Sequence, residues 1–187
     1  MKIYIKNMVC NRCKTAVTKV LEKMNLKCTD IKLGEVEIEE NLTNGQIENL
    51  SHSLSELGFE ILNDKQAQLI EKIKSTIIEL IHSSGKISKK INHSDYISQA
   101  VGKDYTYLSS LFSVNQGITI ERYFINQKIE RVKELITYGE NSLTEIAFAT
   151  DYSSSQHLSR QFKEVTGMTP SEFRNNKDRT RKTLDEI

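Results

Sequence analysis

The sequence predicts an α+β chain, a small βαββαβ unit followed by an all-helical half. Two observations carry this. Up to residue 62 the apolar pattern switches between period-2 alternation and helical spacing, and after residue 63 only helical spacing recurs. Within that second half, a helix, a tight turn and another helix occur twice, about fifty residues apart. The expected organisation is residues 1–62, then 63–176 with helix-turn-helix patterns at about 94–113 and 142–164, then a charged tail at 177–187.

Taken in order, residues 2–6 alternate, with Ile3 and Ile5 on one side, which predicts a strand. A loop with Cys10 and Cys13 follows, and Val17, Val20, Leu21 and Met24 then mark a helix. Residues 28–39 read as a hairpin turning at Gly34, with Ile31, Val36 and Ile38 as its apolar positions. Ile47, Leu50, Leu54 and Leu57 mark a second helix ending at Gly58, before a strand at 59–62. This order is that of the ferredoxin-like split unit.

Asn63-Asp64 is too short to be a flexible linker, so the halves should be closely coupled. A helix over 64–83 carries Leu69, Ile70, Ile73, Ile77, Leu80 and Ile81 on one stripe. That stripe suits the first helix of the second half, and a homodimer seam is the alternative. Residues 84–93 read as a polar loop. Tyr96, Ile97 and Val101, then Gly102 and the N-cap Asp104, then Leu108, Leu111 and Phe112, make the first helix-turn-helix. Ile120, Phe124, Ile125, Ile129, Val132, Leu135 and Ile136 face inward on a helix over 119–138, the rod between the two readers.

The second pattern is sharper. Leu143, Ile146 and Ala147 share one face, the serines at 153–155 supply N-cap candidates, and Leu158, Phe162 and Val165 form the next buried stripe. Gln156, His157 and Arg160 lie on its polar face, where a helix presents hydrogen-bonding groups to base edges in a DNA major groove. Thr169-Pro170-Ser171-Glu172 has the N-cap, N1 proline and N3 glutamate of a new helix.

Ile146-Ala147, Tyr152, Ser154, Leu158, Arg160, Phe162-Lys163, Gly167, Thr169-Pro170 and Phe173-Arg174 stand at the offsets of the second helix-turn-helix of the AraC family of bacterial transcription regulators, which this stretch resembles. Asp151 stands at that family's turn glycine, Lys128 at an arginine of the connecting helix, and Ser98 and Lys103 at an alanine and an aromatic of the first motif. The resemblance implies a regulator that binds double-stranded DNA and contacts RNA polymerase. Two readers in one module can enter successive major-groove faces about 34 Å apart. Arg160 can pair with guanine and Gln156 with adenine, while the first reader's Tyr105, Thr106, Ser109 and Ser110 are neutral and suit phosphates or a thymine methyl. For Arg160 the competing reading is an ion pair with Glu164, and for His157 a phosphate contact alone.

Met8-Val9-Cys10-Asn11-Arg12-Cys13 after the first strand resembles the motif of the heavy-metal-associated domain, with Asn7 for its glycine and Val9 for its threonine. Two thiols three positions apart at a helix N-terminus should have depressed pKa values and suit two-coordinate Cu(I) or Ag(I) better than Zn(II), which takes four ligands. Three readings of Cys10 and Cys13 stand open: metal ligands, a thiol redox couple, or a pair without a ligand. Met8 is expected to pack under the loop, and Cys28, at the start of a strand, to be a core or surface thiol.

Composition adds constraints. The net charge is +1, with 8 basic against 9 acidic residues up to 62 and 18 against 16 beyond it, so a DNA-attracting field must come from local clusters such as Lys86, Lys89 and Lys90 or Arg174 to Lys182. No apolar run spans a membrane and no secretory signal opens the chain, so a cytoplasmic location is expected. The four histidines lack acidic or cysteine partners at motif spacing and no phosphate-cradling glycine loop is present, which argues against an enzyme. The expected function is a sequence-specific DNA-binding regulator responsive to a soft ion. Its alternative is an AraC-type regulator whose first domain binds no metal and serves protein contact or thiol redox sensing.

Overall fold

The computed structural model describes residues 1–82, 92–176 and 180–184. By compactness the chain divides into two units, Met1–Glu79 with Ser94–Leu111, and Leu80–His93 with Phe112–Ile187. The division cuts the helix that follows residue 64 and, between Leu111 and Phe112, the second helix of the first helix-turn-helix, most of which it groups with the N-terminal sheet. Lys86, Lys89, Lys90 and most of the expected 84–93 loop lie outside the described residues.

In the first unit the elements run β1 (Lys2–Lys6), α1 (Asn11–Lys23), β2 (Cys28–Lys32), β3 (Glu35–Ile38), α2 (Asn44–Ser55), β4 (Glu60–Ile61) and α3 (Lys65–His82). The four strands form one antiparallel sheet in the order β2-β3-β1-β4. Alternation buries Ile3, Ile5, Val36 and Ile38 on one face, where Val17 and Leu21 of α1 and Leu50 and Leu54 of α2 complete the core. Met8 is fully buried in that core. Thr43 and Gln46 close a capping box on α2. Gly58 takes the left-handed φ of +82° expected past the helix end. Leu57, expected on the buried stripe, lies beyond the last helical turn and is 52% exposed, and β4 is two residues long instead of four. Met24 likewise follows α1 and is only half-buried.

α3 departs from a simple apolar stripe. Its N-cap is Asp64, whose carboxylate accepts from the Ala67 N–H at 2.8 Å. Ile70, Ile73 and Ile77 are buried as expected, but Leu69, Leu80 and Ile81 are only partly so, and Glu71, Ser75 and Thr76 are buried instead. The polar positions face the end of the sheet. At Gly34, whose φ is +75°, a Cβ would lie 2.8 Å from the Ser75 Oγ and 3.4 Å from the Glu71 Cγ. Only glycine allows both that backbone and that approach.

α4 (His93–Val101) and α5 (Tyr105–Gln116) form the first helix-turn-helix, joined by Gly102 at φ +76°. Asp104 caps α5, accepting from the backbone N–H groups of Thr106 and Tyr107. His93, expected in the loop, opens α4, and its ring stacks on Phe124 with centroids 4.3 Å apart.

In the second unit α6 (Ile120–Tyr138) runs from the Thr119 cap to left-handed Gly139. Its buried face differs from the expected one: Tyr123 and Gln127 are buried, whereas Phe124, Ile125 and Leu135 are only half-buried. α7 (Leu143–Ala149), α8 (Ser155–Thr166) and α9 (Pro170–Asn175) close around Ile129, Val132 and Ile136 of α6. The segment 180–184 lies against α6: Gln127 donates to the Leu184 carbonyl at 3.0 Å, the Lys182 N–H to Glu130 at 3.3 Å, and Arg181 stands 4.0 Å from Glu134.

Candidate functional site

The second helix-turn-helix is built from caps and one strained turn. Ser142 and Glu145 close a capping box on α7, and those hydrogen bonds hold the Glu145 carboxyl below its ordinary range. Asp151, the turn residue, takes φ +57°, a conformation that costs a non-glycine residue energy and that Asp tolerates better than most. The turn is held from α6. The Lys128 ammonium donates to the Asp151 carbonyl at 3.0 Å and lies 4.1 Å from the centroid of the Tyr152 ring. Tyr152 is buried, which pushes its phenol far above the ordinary range, and its hydroxyl donates to Gln161 at 2.8 Å.

Ser154 is the serine that caps α8, accepting from the His157 N–H. Leu158 and Phe162 are fully buried, Val165 only partly, and Phe162 packs edge-on against Phe173 of α9. This roots one side of α8 and turns Gln156 and Arg160 to solvent. Arg160 does not pair with Glu164, which stands 3.9 Å from Arg122 instead. The Arg160 guanidinium therefore has no ion pair among the described residues and stays available. His157 is different: half-buried, it shares a hydrogen bond with Ser153 at 3.0 Å and meets the Tyr152 ring edge-on at 5.4 Å. It braces the turn.

The helices α5 and α8 align by their caps. Counting from Asp104 and from Ser154, Thr106 matches Gln156, Tyr107 matches His157 and Ser110 matches Arg160. Thr106 and Ser110 are exposed, whereas Tyr105 and Ser109 are half-buried. Tyr107, absent from the sequence-derived set, is 47% exposed. The cap phase was the signal that could have found it.

In the first unit Cys10 is the N-cap residue of α1 and Cys13 lies in its first turn, with the sulfurs 3.4 Å apart. The expectation of depressed thiol pKa values fails at Cys13: burial pushes it up, outweighing backbone hydrogen bonds at Val9 and Cys10. Cys28 is also pushed up by burial and donates to the Asp30 carbonyl at 3.4 Å. Among the described residues no three His, Cys, Asp or Glu side chains converge. The donor set is two soft sulfurs, which fits a two-coordinate soft ion and does not fit tetrahedral Zn(II).

Residues 97–176, which contain both capped patterns, match a family model described as a helix-turn-helix domain. These residues are a helix-turn-helix domain. The chain is similar to an uncharacterized HTH-type transcriptional regulator of Staphylococcus aureus, 31% identical over 78 residues, which are 42% of this chain and 10% of that protein. The Msm operon regulatory protein of Streptococcus mutans is 29% identical over 120 residues, 58% of this chain and 43% of that protein. The match thus spans a tenth to under half of these relatives' lengths. Among solved structures, the C-terminal domain of AraT, a response regulator from Geobacillus stearothermophilus, shares the fold at TM-score 0.50 and 18% identity, over 64% of this chain and 97% of that one. By their names these proteins are an HTH-type transcriptional regulator, an operon regulatory protein and a response regulator. No helix among the described residues is long and apolar enough to cross a membrane.

Lys128 generates a pH prediction. Its carbonyl and ring contacts favour the ammonium, but burial dominates and pushes its pKa down to about 8 from an ordinary value of 10.5. Between those values the unfolded chain holds a proton that the folded chain has lost, so folding stability rises with pH. Relative to Lys128→Met, urea denaturation should show the wild type gaining about 1 to 3 kcal/mol from pH 8 to 10.5. A flat or falling difference would mean that Asp151 and Tyr152 keep the group charged.

Proposed function

We propose that this chain is a sequence-specific, AraC-type DNA-binding transcription regulator whose N-terminal unit senses a soft metal ion. The observation that carries the DNA reading is Arg160: an exposed guanidinium on a capped helix, with no ion pair among the described residues, beside exposed Gln156. Bidentate Arg to guanine and Gln to adenine are the side-chain and base pairings that discriminate in the major groove. The first reader, with Thr106, Tyr107 and Ser110 outward, is neutral and suits phosphate or thymine-methyl contacts. Contact with RNA polymerase belongs to this reading, and a homodimer is compatible with it.

For the N-terminal unit we infer a ferredoxin-like, heavy-metal-associated type of domain. What supports this is the order βαββαβ, the strand order β2-β3-β1-β4, buried Met8 and the paired sulfurs of Cys10 and Cys13 at the start of α1. Cys10 and Cys13 would hold Cu(I) or Ag(I), a soft ion that two thiolates can satisfy. Thiol redox sensing is the second reading, favoured by the 3.4 Å sulfur separation.

Two outcomes test the proposal. In a selection from random duplexes, Arg160→Ala should lose about 1 to 3 kcal/mol of preference at a guanine and leave other positions unchanged; equal weakening of all sequences would reduce Arg160 to a phosphate contact. With the selected duplex, one equivalent of Ag(I) or Cu(I) should change the affinity of the reduced wild type and leave a Cys10→Ser/Cys13→Ser chain unchanged. Indifference to Ag(I), Cu(I) and Zn(II) alike would remove regulation through DNA affinity.

A further inference from the structure

α3 carries a carboxylate where its apolar stripe would accept another isoleucine. Glu71 is 8% exposed, and a carboxylate so buried is costly unless hydrogen bonds and charges compensate it. Its Oε1 accepts from the backbone N–H of Asn7 at 3.2 Å, with Lys74 and Lys6 supplying positive charge nearby. Asn7 is the left-handed residue, φ +70°, that leaves β1 and opens the thiol loop three residues before Cys10. Its side-chain amide also donates to the Gly58 carbonyl at 3.0 Å, and the next residue, Met8, is fully buried.

We infer that Glu71 is the positioning residue through which the state of the Cys10–Cys13 loop reaches α3 and, in the same compact unit, residues Ser94–Leu111 of the first helix-turn-helix. The loop has little slack on its β1 side, because Asn7 is tied to Gly58 and Met8 is locked in the core. A rearrangement around the sulfurs therefore acts on the Asn7 N–H, and through it on a rigid helical side chain. One turn further on, Ser75 packs against Gly34. Beyond it, Thr76 and Glu79 of α3 share a groove of about 310 Å³ with Ala100 of α4 and Tyr4 of β1. A helix shift of 1 to 2 Å, typical of switching proteins, would repack α4 there. The inference takes its trigger from the metal-sensing reading, but the mechanical link is testable without metal, because coupling between two sites is reciprocal.

The test uses the full reduced chain and a duplex selected for tight binding. With no metal present, saturating duplex should change the rate of Cys10 and Cys13 alkylation by N-ethylmaleimide at least fivefold in the wild type, the lower end of typical coupling. In Glu71→Ala the ratio should fall below twofold while the duplex still binds. Glu71→Gln, which keeps an acceptor oxygen, should retain most of the effect. The same ratio in Glu71→Ala as in the wild type, or no DNA effect in the wild type, overturns the inference. If Glu71→Ala does not fold, amide exchange at Asn7 in the wild type decides: duplex should alter it at least fivefold, and unchanged exchange overturns the link. An Ag(I) titration separates the two readings. No Ag(I) uptake with the alkylation effect intact removes metal sensing and supports the link; Ag(I) uptake with the same DNA response in Glu71→Ala and wild type removes the link.

Discussion

The thiol loop and the turn of the second helix-turn-helix each turn on a left-handed Asx residue whose backbone is held by an ionisable side chain from a neighbouring long helix. Asn7 opens the thiol loop and gives its N–H to Glu71 of α3. Asp151 makes the turn between α7 and α8, and its carbonyl accepts from Lys128 of α6. Glycine would adopt either conformation without strain but would leave the loop free to sample others. An Asx residue pays part of that strain, and a hydrogen bond to a charged group, about 1.5 to 3 kcal/mol, offsets it while selecting one backbone geometry. The caps then follow: with Asp151 in place, Ser154 stands where it can cap α8, and the phase of α8 decides that Gln156 and Arg160 face outward.

The near-neutral charge is resolved locally. In the tail, the Arg181 guanidinium stands beside Glu134, and the Lys182 backbone N–H donates to Glu130. Arg122 stands 3.9 Å from Glu164 of α8. Arg160 is among the cations that these pairings leave exposed. Under the proposed function, DNA affinity would depend more on base-edge contacts than on a general positive field, and should fall less steeply with salt than that of a strongly basic binder.

What was legible in the sequence was whatever rests on periodicity and caps. Alternation at Ile3 and Ile5, the hairpin at Gly34, the caps Asp104 and Thr169 and the buried pair Leu158 and Phe162 all stand where spacing put them. Apolar spacing misled where a helix faces a polar partner or ends early. It ranked Leu69 above Glu71 and Phe124 above Tyr123 and Gln127, because it registers neither a buried backbone N–H needing an acceptor nor a chain segment folding back onto α6. Leu57 fitted the stripe of α2 but not its length. Tyr107 was missed because outward residues were chosen by polarity and not by cap phase. The grouping of most of the first helix-turn-helix with the sheet, and the groove that Gly34 and Ala100 both line, have no local signature.

The central claim is that the sheet, most of α3 and the first helix-turn-helix form one cooperative body, so that events at the thiols are not isolated from a DNA-reading element. Native-state amide hydrogen exchange at increasing denaturant tests it directly, since cooperative units reveal themselves by merging exchange isotherms. The amides of Ile5 and Val36 in the sheet, Ile73 and Ile77 in α3 and Ile97 in α4 should converge on one opening free energy and one denaturant slope. Sheet amides that open on their own isotherm, with those of α3 and α4 following the second unit instead, would contradict the account.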